Sequence, residues 1–518
     1  MTSMALLLFG GLLSTASRPC ESLAALEVEG GRVTSAVSVP AGDWKDPGGE
    51  VHRSLPAFCR AELQLSAGED SAIRAEVWLP EAWNGRLLGT GNGSYAGEIQ
   101  YGWLESGVTR AYATVNDDMG SAPSKGFDGS PLVGHPAKWL DFGWRATHLA
   151  TVAARQVVAA RYGKPPHHAY FVGCSQGGRQ TLREAQRFPE DFDGVLAGCP
   201  AADNDGAIAQ VVWEHRALRE APESLPTPEK GAALKKAVLD ACGPTDEGPA
   251  GDRWLVDPAR CAFDPARIQC RDGDAPDCLT AAQVEAIRKI YQGPVNPRTG
   301  VSRYPGMPRG AEAPRYWKFV ASQPQPPWSA TYQWVFGAGW DVAKLDFDRD
   351  QATVDAVLGP ILDVSSGDFS SFARRGGKLI LWHGWSDQVI PATATLDLFR
   401  RLKGDPRGPG GGSASSFARL YLVPGVAHCA GGPGADGFGA VVPGAAAVPD
   451  HDMLDALVLW VEKGIAPGRI VATKWVDADD PAKGIVFERP LCPYPSVARY
   501  RGTGDRIRAA SFECVRPR

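Results

Sequence analysis

The sequence predicts an α/β fold built on a mostly parallel sheet. Short apolar runs bounded by Gly, Pro or Asp recur along the chain, and they do not alternate between apolar and polar residues. Strands that are covered on both faces look like this, and parallel sheets are covered on both faces. Stretches with helical spacing lie between these runs, and strands that alternate with helices are typical of an α/β protein.

Strand and helix boundaries follow from where the apolar patterns begin and stop. The predicted strands are residues 85–91, 110–115, 169–173, 195–198, 378–382 and 420–423. The predicted helices are residues 144–162, 177–188 and 451–463. Gly163 and Pro165 end the first helix, and Pro189 ends the second. Asp450 is the expected N-cap of the third helix, which Gly464 closes.

The stretch from residue 204 to residue 372 interrupts this alternation. It is rich in Pro, Trp and charged residues, and it contains four cysteines between Cys242 and Cys278. We therefore predict an inserted lid domain at 204–372 that covers the carboxyl edge of the sheet. The catalytic domain would then consist of residues 17–203 and 373–518.

The bulk composition is that of an ordinary globular protein. The chain has 518 residues, of which 44% are hydrophobic and 22% are charged. Its net charge is −5, and no block of basic residues occurs. Nucleic acid is therefore not an expected partner.

The N-terminus resembles a secretory signal. An apolar run at residues 5–13 is followed by the small residues Ser14, Thr15 and Ala16, which offer a cleavage site. The run is too short to span a bilayer, and no other segment looks membrane-spanning. Eleven cysteines without a C-x-x-C pair also fit an oxidised, exported protein. We expect residues 1–16 to be a signal peptide and the mature protein to be secreted or periplasmic.

A nucleophile motif follows the strand at 169–173. Residues 173–177 read GCSQG, which is the Gly-x-Ser-x-Gly form of a nucleophile elbow. An apolar strand leads in and a helix leads out, and Gly173 and Gly177 permit the sharp turn between them. A serine hydroxyl is a weak nucleophile at neutral pH and needs a base that a carboxylate orients. Ser175 is therefore the predicted nucleophile.

The acid and the base should follow later strands. The strand at 378–382 runs into a loop that ends at Asp387, and the strand at 420–423 runs into a loop that ends at His428. The chain order Ser, Asp, His is that of α/β-hydrolases, so this is the predicted fold. Asp436 is a rival acid, but it follows the histidine in a Gly-rich loop. Asp387 is therefore favoured.

An oxyanion hole needs two backbone N–H groups that face the developing negative charge. Gln176, directly after the nucleophile, is the natural first donor. The second donor should lie in the loop at residues 89–94, which reads GTGNGS. We choose Gly93 as this donor, with Asn92 and Ser94 as alternatives. The loop could also be a plain turn without a role in catalysis.

Cysteines flank both reacting residues. Cys174 directly precedes Ser175, and Cys429 directly follows His428. If the serine and the histidine meet, the two cysteines meet as well, and a disulfide would then tie them together. A cysteine hydrolase that uses Cys174 is a rival hypothesis. Since that residue precedes the apex of the elbow, its sulfur should point away from the substrate.

Together these motifs resemble the tannase/feruloyl esterase family of α/β-hydrolases, which includes bacterial mono(hydroxyethyl) terephthalate hydrolases. The resemblance spans nearly the whole chain from Cys20. It is carried by residues 79–85 (LPEAWNG), 162–166 (YGKPP), 173–179 (GCSQGGR), 185–194 (AQRFPEDFDG), 376–380 (GGKLI), 383–387 (HGWSD), 423–434 (VPGVAHCAGGPG) and 489–495 (RPLCPYP).

The resemblance implies roles for these residues and pairings for the cysteines. Ser175 would be the nucleophile, His428 the base and Asp387 the orienting acid. The implied disulfides are Cys174–Cys429, Cys20–Cys59, Cys242–Cys261, Cys270–Cys278 and Cys492–Cys514. Cys199 would be left as an inert core thiol.

The resemblance also suggests a structural calcium ion in the insert, although catalysis would need no cofactor. Asp246 and Asp252 match the family's ligands, and carboxylate oxygens suit calcium. However, Gly243 stands where the family has an aspartate, so an acidic loop without a metal stays open. The resemblance places His383 near the substrate, with a structural hydrogen-bonding role as the alternative.

Several aromatic residues of the insert could belong to its core or stack on an aromatic acyl group: Trp328, Tyr332, Trp334, Phe336 and Trp340. The sequence therefore predicts a secreted serine esterase that cleaves esters of aromatic acids of the feruloyl, galloyl or terephthaloyl type. A general acyl-ester hydrolase and a non-catalytic binding protein on a hydrolase scaffold are the alternatives.

Overall fold

The computed structural model describes residues 17–404, 413–439, 448–478 and 480–517. The predicted signal peptide at residues 1–16 lies outside these described residues. In the part of the chain that is described, no helix combines the length and the apolar character needed to cross a bilayer.

The strands, in chain order, are β1 (Glu27–Val28), β2 (Gly31–Val39), β3 (Gly42–Lys45), β4 (Val51–Leu55), β5 (Phe58–Leu65), β6 (Ile73–Pro80), β7 (Arg86–Thr90), β8 (Ala113–Asp117), β9 (His168–Cys174), β10 (Gly194–Gly198), β11 (Thr245–Glu247), β12 (Arg253–Leu255), β13 (Lys378–Gly384), β14 (Ala418–Val423), β15 (Ile470–Trp475), β16 (Ile485–Leu491), β17 (Val497–Tyr500) and β18 (Phe512–Val515).

The α-helices are α1 (Tyr101–Val108), α2 (Pro136–Leu140), α3 (Ala146–Tyr162), α4 (Gln176–Arg187), α5 (Asn204–Arg219), α6 (Pro228–Ala241), α7 (Ala281–Gln292), α8 (Pro314–Ser322), α9 (Ala330–Phe336), α10 (Arg349–Leu362), α11 (Ser370–Arg374), α12 (Ala392–Arg401) and α13 (Met453–Lys463).

Within the described residues, ten strands form one mixed sheet in the order β1-β2-β5-β6-β8-β7-β9-β10-β13-β14. The strands from β8 to β14 pair in parallel. The strands from β1 to β8 on the other side pair antiparallel. The parallel half confirms the predicted α/β-hydrolase fold, whereas the antiparallel half was not anticipated.

Helices cover both faces of the parallel half, which explains the continuous apolar runs in its strands. Neighbouring residues of one strand point to opposite faces. Phe171 of β9 packs in one buried cluster with residues of α3 and α4, such as Ala154 and Leu182. Tyr170 packs in the other cluster with Leu457 of α13. Both faces of the sheet are therefore shielded from water at β9, and every position in this strand can be apolar.

Most predicted boundaries differ from the structure by one to three residues, and two of these differences have a clear local cause. β8 begins at Ala113 rather than at residue 110, because the turn that ends α1 uses the preceding residues, with Ala111 at φ 61°. The N-cap of α13 is Asp452 and not Asp450, since the Asp452 side chain accepts the backbone N–H of Asp455 at 3.0 Å.

The segment at 204–372 contributes helices α5 to α10 and the β11–β12 hairpin, and among the described residues it adds no strand to the large sheet. It has a buried cluster of its own that includes Leu234, Ile287 and Trp317. A second cluster joins it to the catalytic part, where Tyr95 and Phe142 pack with Trp334. This arrangement suits the inserted domain that the sequence predicts.

The described residues contain five disulfides, and their pairings are those that the family resemblance implies: Cys20–Cys59, Cys174–Cys429, Cys242–Cys261, Cys270–Cys278 and Cys492–Cys514. Cys199 is buried and unpaired in the described structure. Burial and the nearby Asp387 carboxylate raise the pKa of the Cys199 thiol. It therefore stays protonated, as an inert core thiol should.

Candidate active site

Ser175 lies at the apex of a sharp turn between β9 and α4. Its backbone has φ 62° and ψ −120°, a conformation that a non-glycine residue adopts only when its surroundings enforce it. A Cβ atom on Gly173 would come within 2.5 Å of the carbonyl oxygen of Gly177. Glycine is therefore required for the chain to fold back so tightly, and the turn raises Ser175 at the carboxyl end of the sheet.

His428 and Asp387 are held together by a hydrogen bond. His428 Nδ1 lies 2.7 Å from Asp387 Oδ2, and the backbone N–H groups of Val389 and Ile390 donate to Oδ1 at 2.8 and 2.9 Å. An ionised carboxylate only accepts hydrogen bonds, so Nδ1 carries the proton and Nε2 is left as the basic nitrogen. This is the arrangement that a general base requires.

The Asp387 carboxylate is fully buried and yet remains ionised. Burial opposes its ionisation, but the charge of His428 and hydrogen bonds from His383 and His428 outweigh that effect. Together they hold the pKa of Asp387 well below its usual range. Asp387 can thus stabilise a protonated His428 throughout the neutral range.

The rival acid has other partners. Asp436 Oδ2 accepts the backbone N–H of Gly431 at 2.8 Å, and Oδ1 accepts Lys474 Nζ at 3.2 Å. This aspartate shapes the loop after the histidine, whereas Asp387 contacts the histidine itself.

His383 lies behind Asp387 and not against a substrate. Its side chain is fully buried. Its Nε2 lies 3.0 Å from Asp387 Oδ2 and 3.0 Å from the Ile390 carbonyl oxygen, and its Nδ1 lies 2.8 Å from Thr395 Oγ1. We therefore assign His383 the structural alternative: it orients the acid, and it is not the substrate contact that the resemblance suggests.

The oxyanion loop lies directly on the nucleophile turn. A Cβ on Gly91 would fall 2.5 Å from the Cα of Gly177, so the two backbones are in contact. The backbone N–H of Asn92 is bound to Gln180 Oε1 at 2.8 Å, which removes Asn92 as an oxyanion donor. Gly93 and Ser94 remain as choices for the second donor. The first, Gln176, is also the first residue of α4, where the helix dipole favours a negative charge.

An apolar pocket opens beside Ser175. Its lining is contributed by six separate parts of the chain, and α5 supplies Asn204, Ala207 and Ile208. The other lining residues are Ser94, Tyr95, Phe142, Gln176, Ala201, Trp328, Val389 and Ile390. Of the five aromatic residues that the sequence singled out, Trp328 lines the pocket. Tyr332 and Trp334 are buried in the core, and the Trp334 indole N–H donates to the Gly129 carbonyl at 2.9 Å.

The residues proposed for calcium do not fit a metal site. The Asp246 carboxylate is bound by the guanidinium of Arg489, with Nε at 2.5 Å and Nη2 at 3.3 Å. Asp252 is exposed, and neither aspartate belongs to any convergent group of ligand side chains in the described structure. Arg489 already supplies the positive charge that Asp246 requires. Calcium at Asp246 and Asp252 therefore stays a prediction, which this arrangement does not favour.

The bridge between Cys174 and Cys429 connects the loops of Ser175 and His428 across a separation of 255 residues. By the loop-entropy model, such a closure contributes about 5 kcal/mol to the free energy of unfolding. Cys174 Sγ is consumed by this bond, which counts against the rival hypothesis of a cysteine nucleophile.

The double variant Cys174→Ala/Cys429→Ala should lose about 100-fold in kcat, because small displacements of reacting groups are this costly. Steady-state rates and denaturant unfolding measure the two effects. The matched control is Cys492→Ala/Cys514→Ala, which opens a closure of 22 residues away from the triad. It should lose about 3 kcal/mol of stability and keep its kcat. Equal kcat values for both variants would contradict the proposed catalytic function of the bridge.

Comparison with known proteins gives consistent results. A family model described as "Tannase and feruloyl esterase" matches residues 59–515. An uncharacterised esterase of Xanthomonas campestris pv. campestris is 37% identical, over 98% of this chain and 93% of the relative. A mono(2-hydroxyethyl) terephthalate hydrolase of Piscinibacter sakaiensis is 31% identical, over 93% of this chain and 89% of the relative. The crystal structure of feruloyl esterase B from Aspergillus oryzae has a TM-score of 0.84 at 29% identity, and the match covers 96% of this chain and 99% of that one.

Proposed function

This chain belongs to the tannase and feruloyl esterase family of carboxylic ester hydrolases, and we propose that it cleaves esters of aromatic acids through an acyl-enzyme on Ser175. The observation that carries the proposal is the hydrogen-bonded His428–Asp387 pair, which a disulfide joins to the loop of Ser175. An apolar pocket with aromatic walls lies next to the same serine.

The first half of the reaction forms the acyl-enzyme. Ser175 Oγ attacks the ester carbonyl carbon while His428 Nε2 takes its proton. The resulting oxyanion accepts hydrogen bonds from the backbone N–H groups of Gln176 and Gly93, and one such donor is typically responsible for a factor of about 10² to 10³ in rate. His428 then gives its proton to the oxygen of the leaving alcohol, and the C–O bond breaks.

The second half repeats this path with water. His428 takes a proton from a water molecule that attacks the acyl carbon, and then returns it to Ser175 Oγ as the acid leaves. Asp387 remains a carboxylate throughout and stabilises the protonated imidazole. This chemistry uses only groups of the chain itself.

Preference for aromatic acids is supported by the pocket. The rings of Tyr95, Phe142 and Trp328 surround the space where the acyl group of a Ser175 ester would lie. Stacked or edge-on ring pairs contribute about 0.5–1.5 kcal/mol beyond the area that they bury. A feruloyl esterase and a terephthalate half-ester hydrolase among the similar proteins point in the same direction. Residues 204–372 would act as the lid that completes this pocket.

An exported location, in the periplasm or outside the cell, is part of the same proposal. Disulfides persist in oxidising compartments and are rare in the cytosol, and five are present in the described residues. Their number favours secretion independently of the N-terminal segment.

A panel of methyl esters tests the substrate class with the leaving group held constant. We expect kcat/KM for methyl ferulate or methyl gallate to exceed that for methyl butyrate by about tenfold, the rate equivalent of one ring contact. Mono(2-hydroxyethyl) terephthalate extends the panel to a half-ester. Faster turnover of methyl butyrate than of every aromatic ester would replace the proposal with a general acyl-ester hydrolase.

A further inference from the structure

The oxyanion loop is held from outside by the inserted segment. Trp328, between α8 and α9, directs its indole Nε1–H at Ser94 Oγ, with 3.1 Å between the two atoms. Ser94 is the neighbour of Gly93, the proposed oxyanion donor. The Trp328 side chain, which is remote in sequence, thus holds Ser94 in place. Ser94 directly follows Gly93, whose N–H must point at the oxyanion.

In a second connection, the residue after Ser94 donates a hydrogen bond to the backbone of Trp328. The hydroxyl of Tyr95 donates to the backbone carbonyl of Trp328, and the backbone N–H of Thr331 donates to the same hydroxyl at 3.2 Å. Tyr95 is itself buried, and the Ser121 hydroxyl donates to its carbonyl at 2.5 Å. Ser94 of the oxyanion loop and the next residue, Tyr95, therefore bind the side chain and the backbone of one tryptophan.

The backbone at these contacts adopts conformations that need such support. Ser94 has φ 50° and Trp328 has φ 62°, values that bulky side chains rarely adopt. The bond from the Ala96 N–H to the Gly93 carbonyl at 3.0 Å closes the turn at Gly93, and the Tyr95 N–H donates to the Gly126 carbonyl at 3.2 Å. Ala96 also has a positive φ of 53°. The bond from Trp328 to Ser94 therefore restrains the residue directly after Gly93.

We propose that Trp328 is a positioning residue for catalysis, which fixes the oxyanion loop through Ser94 and Tyr95 so that residues 204–372 complete the oxyanion hole. This inference rests on the proposed esterase function. It differs from stacking on the substrate, because the indole N–H acts on the transition state of every ester, whereas the ring face acts on aromatic acyl groups alone.

The variant Trp328→Phe keeps an aromatic ring and removes the N–H. We expect kcat to fall about threefold to tenfold, the rate equivalent of one hydrogen bond, with KM nearly unchanged. The fall should be the same for p-nitrophenyl acetate, whose acyl group is too small to stack, and for an aromatic ester. Ser94→Ala should give the same loss, and the double variant should be no slower than either single variant, since both remove one interaction.

A transition-state analogue gives a readout that folding alone would not change. The inhibition constant of a trifluoromethyl ketone should rise in Trp328→Phe by the factor by which kcat/KM falls, because the bound adduct carries the oxyanion. The matched control is Trp340→Phe. That tryptophan of the same segment stacks on Tyr332, with ring centroids 4.7 Å apart, and it should keep the wild-type values.

Three outcomes would overturn the inference while the esterase function stands: an unchanged kcat in both single variants, a rise in KM confined to aromatic esters, or strictly multiplicative losses in the double variant. If Trp328→Phe does not fold, kcat and KM of Ser94→Ala on both esters test the inference in its place. An inactive wild-type protein would instead refute the function on which the inference rests.

Discussion

Replacing Ser175 with alanine should lower kcat by about a million-fold, the loss typical of a serine hydrolase without its nucleophile. The methyl group leaves no atom that can form the acyl-enzyme, and only weak catalysis by the oxyanion donors and the binding pocket remains. A p-nitrophenyl ester measures this effect in two ways, because the burst of p-nitrophenol that accompanies acylation should vanish together with the steady-state rate.

A matched control separates this loss from general damage. Ser106 is an exposed serine of α1 whose hydroxyl donates to the Trp103 carbonyl, and Ser106→Ala should keep the burst and the rate. Both variants should unfold at similar denaturant concentrations, since each substitution removes a single hydroxyl oxygen. A Ser175→Ala protein that still shows a burst would mean that another residue carries the acyl group.

Changing Asp387 to asparagine should cost about 10⁴-fold in kcat, as the loss of the carboxylate does in serine proteases. Oδ2 of Asp387 faces the rings of His428 and His383, and Oδ1 faces two backbone N–H groups. An amide must turn its NH₂ group toward one of these donors. His428 would then lose its charged partner or adopt the tautomer whose Nε2 carries a proton and cannot act as the base.

The pH dependence gives this prediction a second readout. Because the pKa of Asp387 lies well below its usual range, the carboxylate is ionised at every neutral or mildly acidic pH. The wild-type enzyme should therefore exceed the variant by a similar factor across that range. Asp436→Asn is the matched control, since Asp436 is bound to Lys474 and Gly431, and it should retain near wild-type kcat. Equal losses in both variants would leave the acid unassigned.

The proposed triad could be predicted from the sequence because its signals are local. Ser175 lies in a short motif with a strand before it and a helix after it, and Asp387 and His428 each follow a strand of the same sheet. The carboxyl ends of parallel strands meet at one edge, so chain order alone brings these residues together. The cysteines beside Ser175 and His428 made the same prediction independently.

The pocket and the supporting contacts could not be predicted, because they join residues that are far apart in the chain. Phe142, in the π-helical turn before α3, and Trp328, in the insert, line the pocket beside Ser175, and no periodic pattern marks either of them. Asp246 has the acidic neighbours of a calcium ligand, but its partner Arg489 lies 243 residues away. The choice between Asn92 and Gly93 likewise depended on Gln180, 88 residues downstream.

The antiparallel half of the sheet was missed for a different reason. Its outer strand β2 has several exposed residues, and the burial of β2 along the chain is irregular, with a shift in register between Val33 and Ser35. Such a strand has neither the continuous apolar run of a buried strand nor a clean alternation. The parallel half has the stronger signal because helices cover both of its faces.

Covalent labelling with a fluorophosphonate, read by intact mass and peptide mapping, tests the central claim most directly: that His428 activates Ser175 as a nucleophile. We expect one adduct per chain, located on Ser175, with loss of esterase activity in step with labelling, and much slower labelling in His428→Ala. An active enzyme that takes up no label, or that takes it up on a residue other than Ser175, would contradict this account.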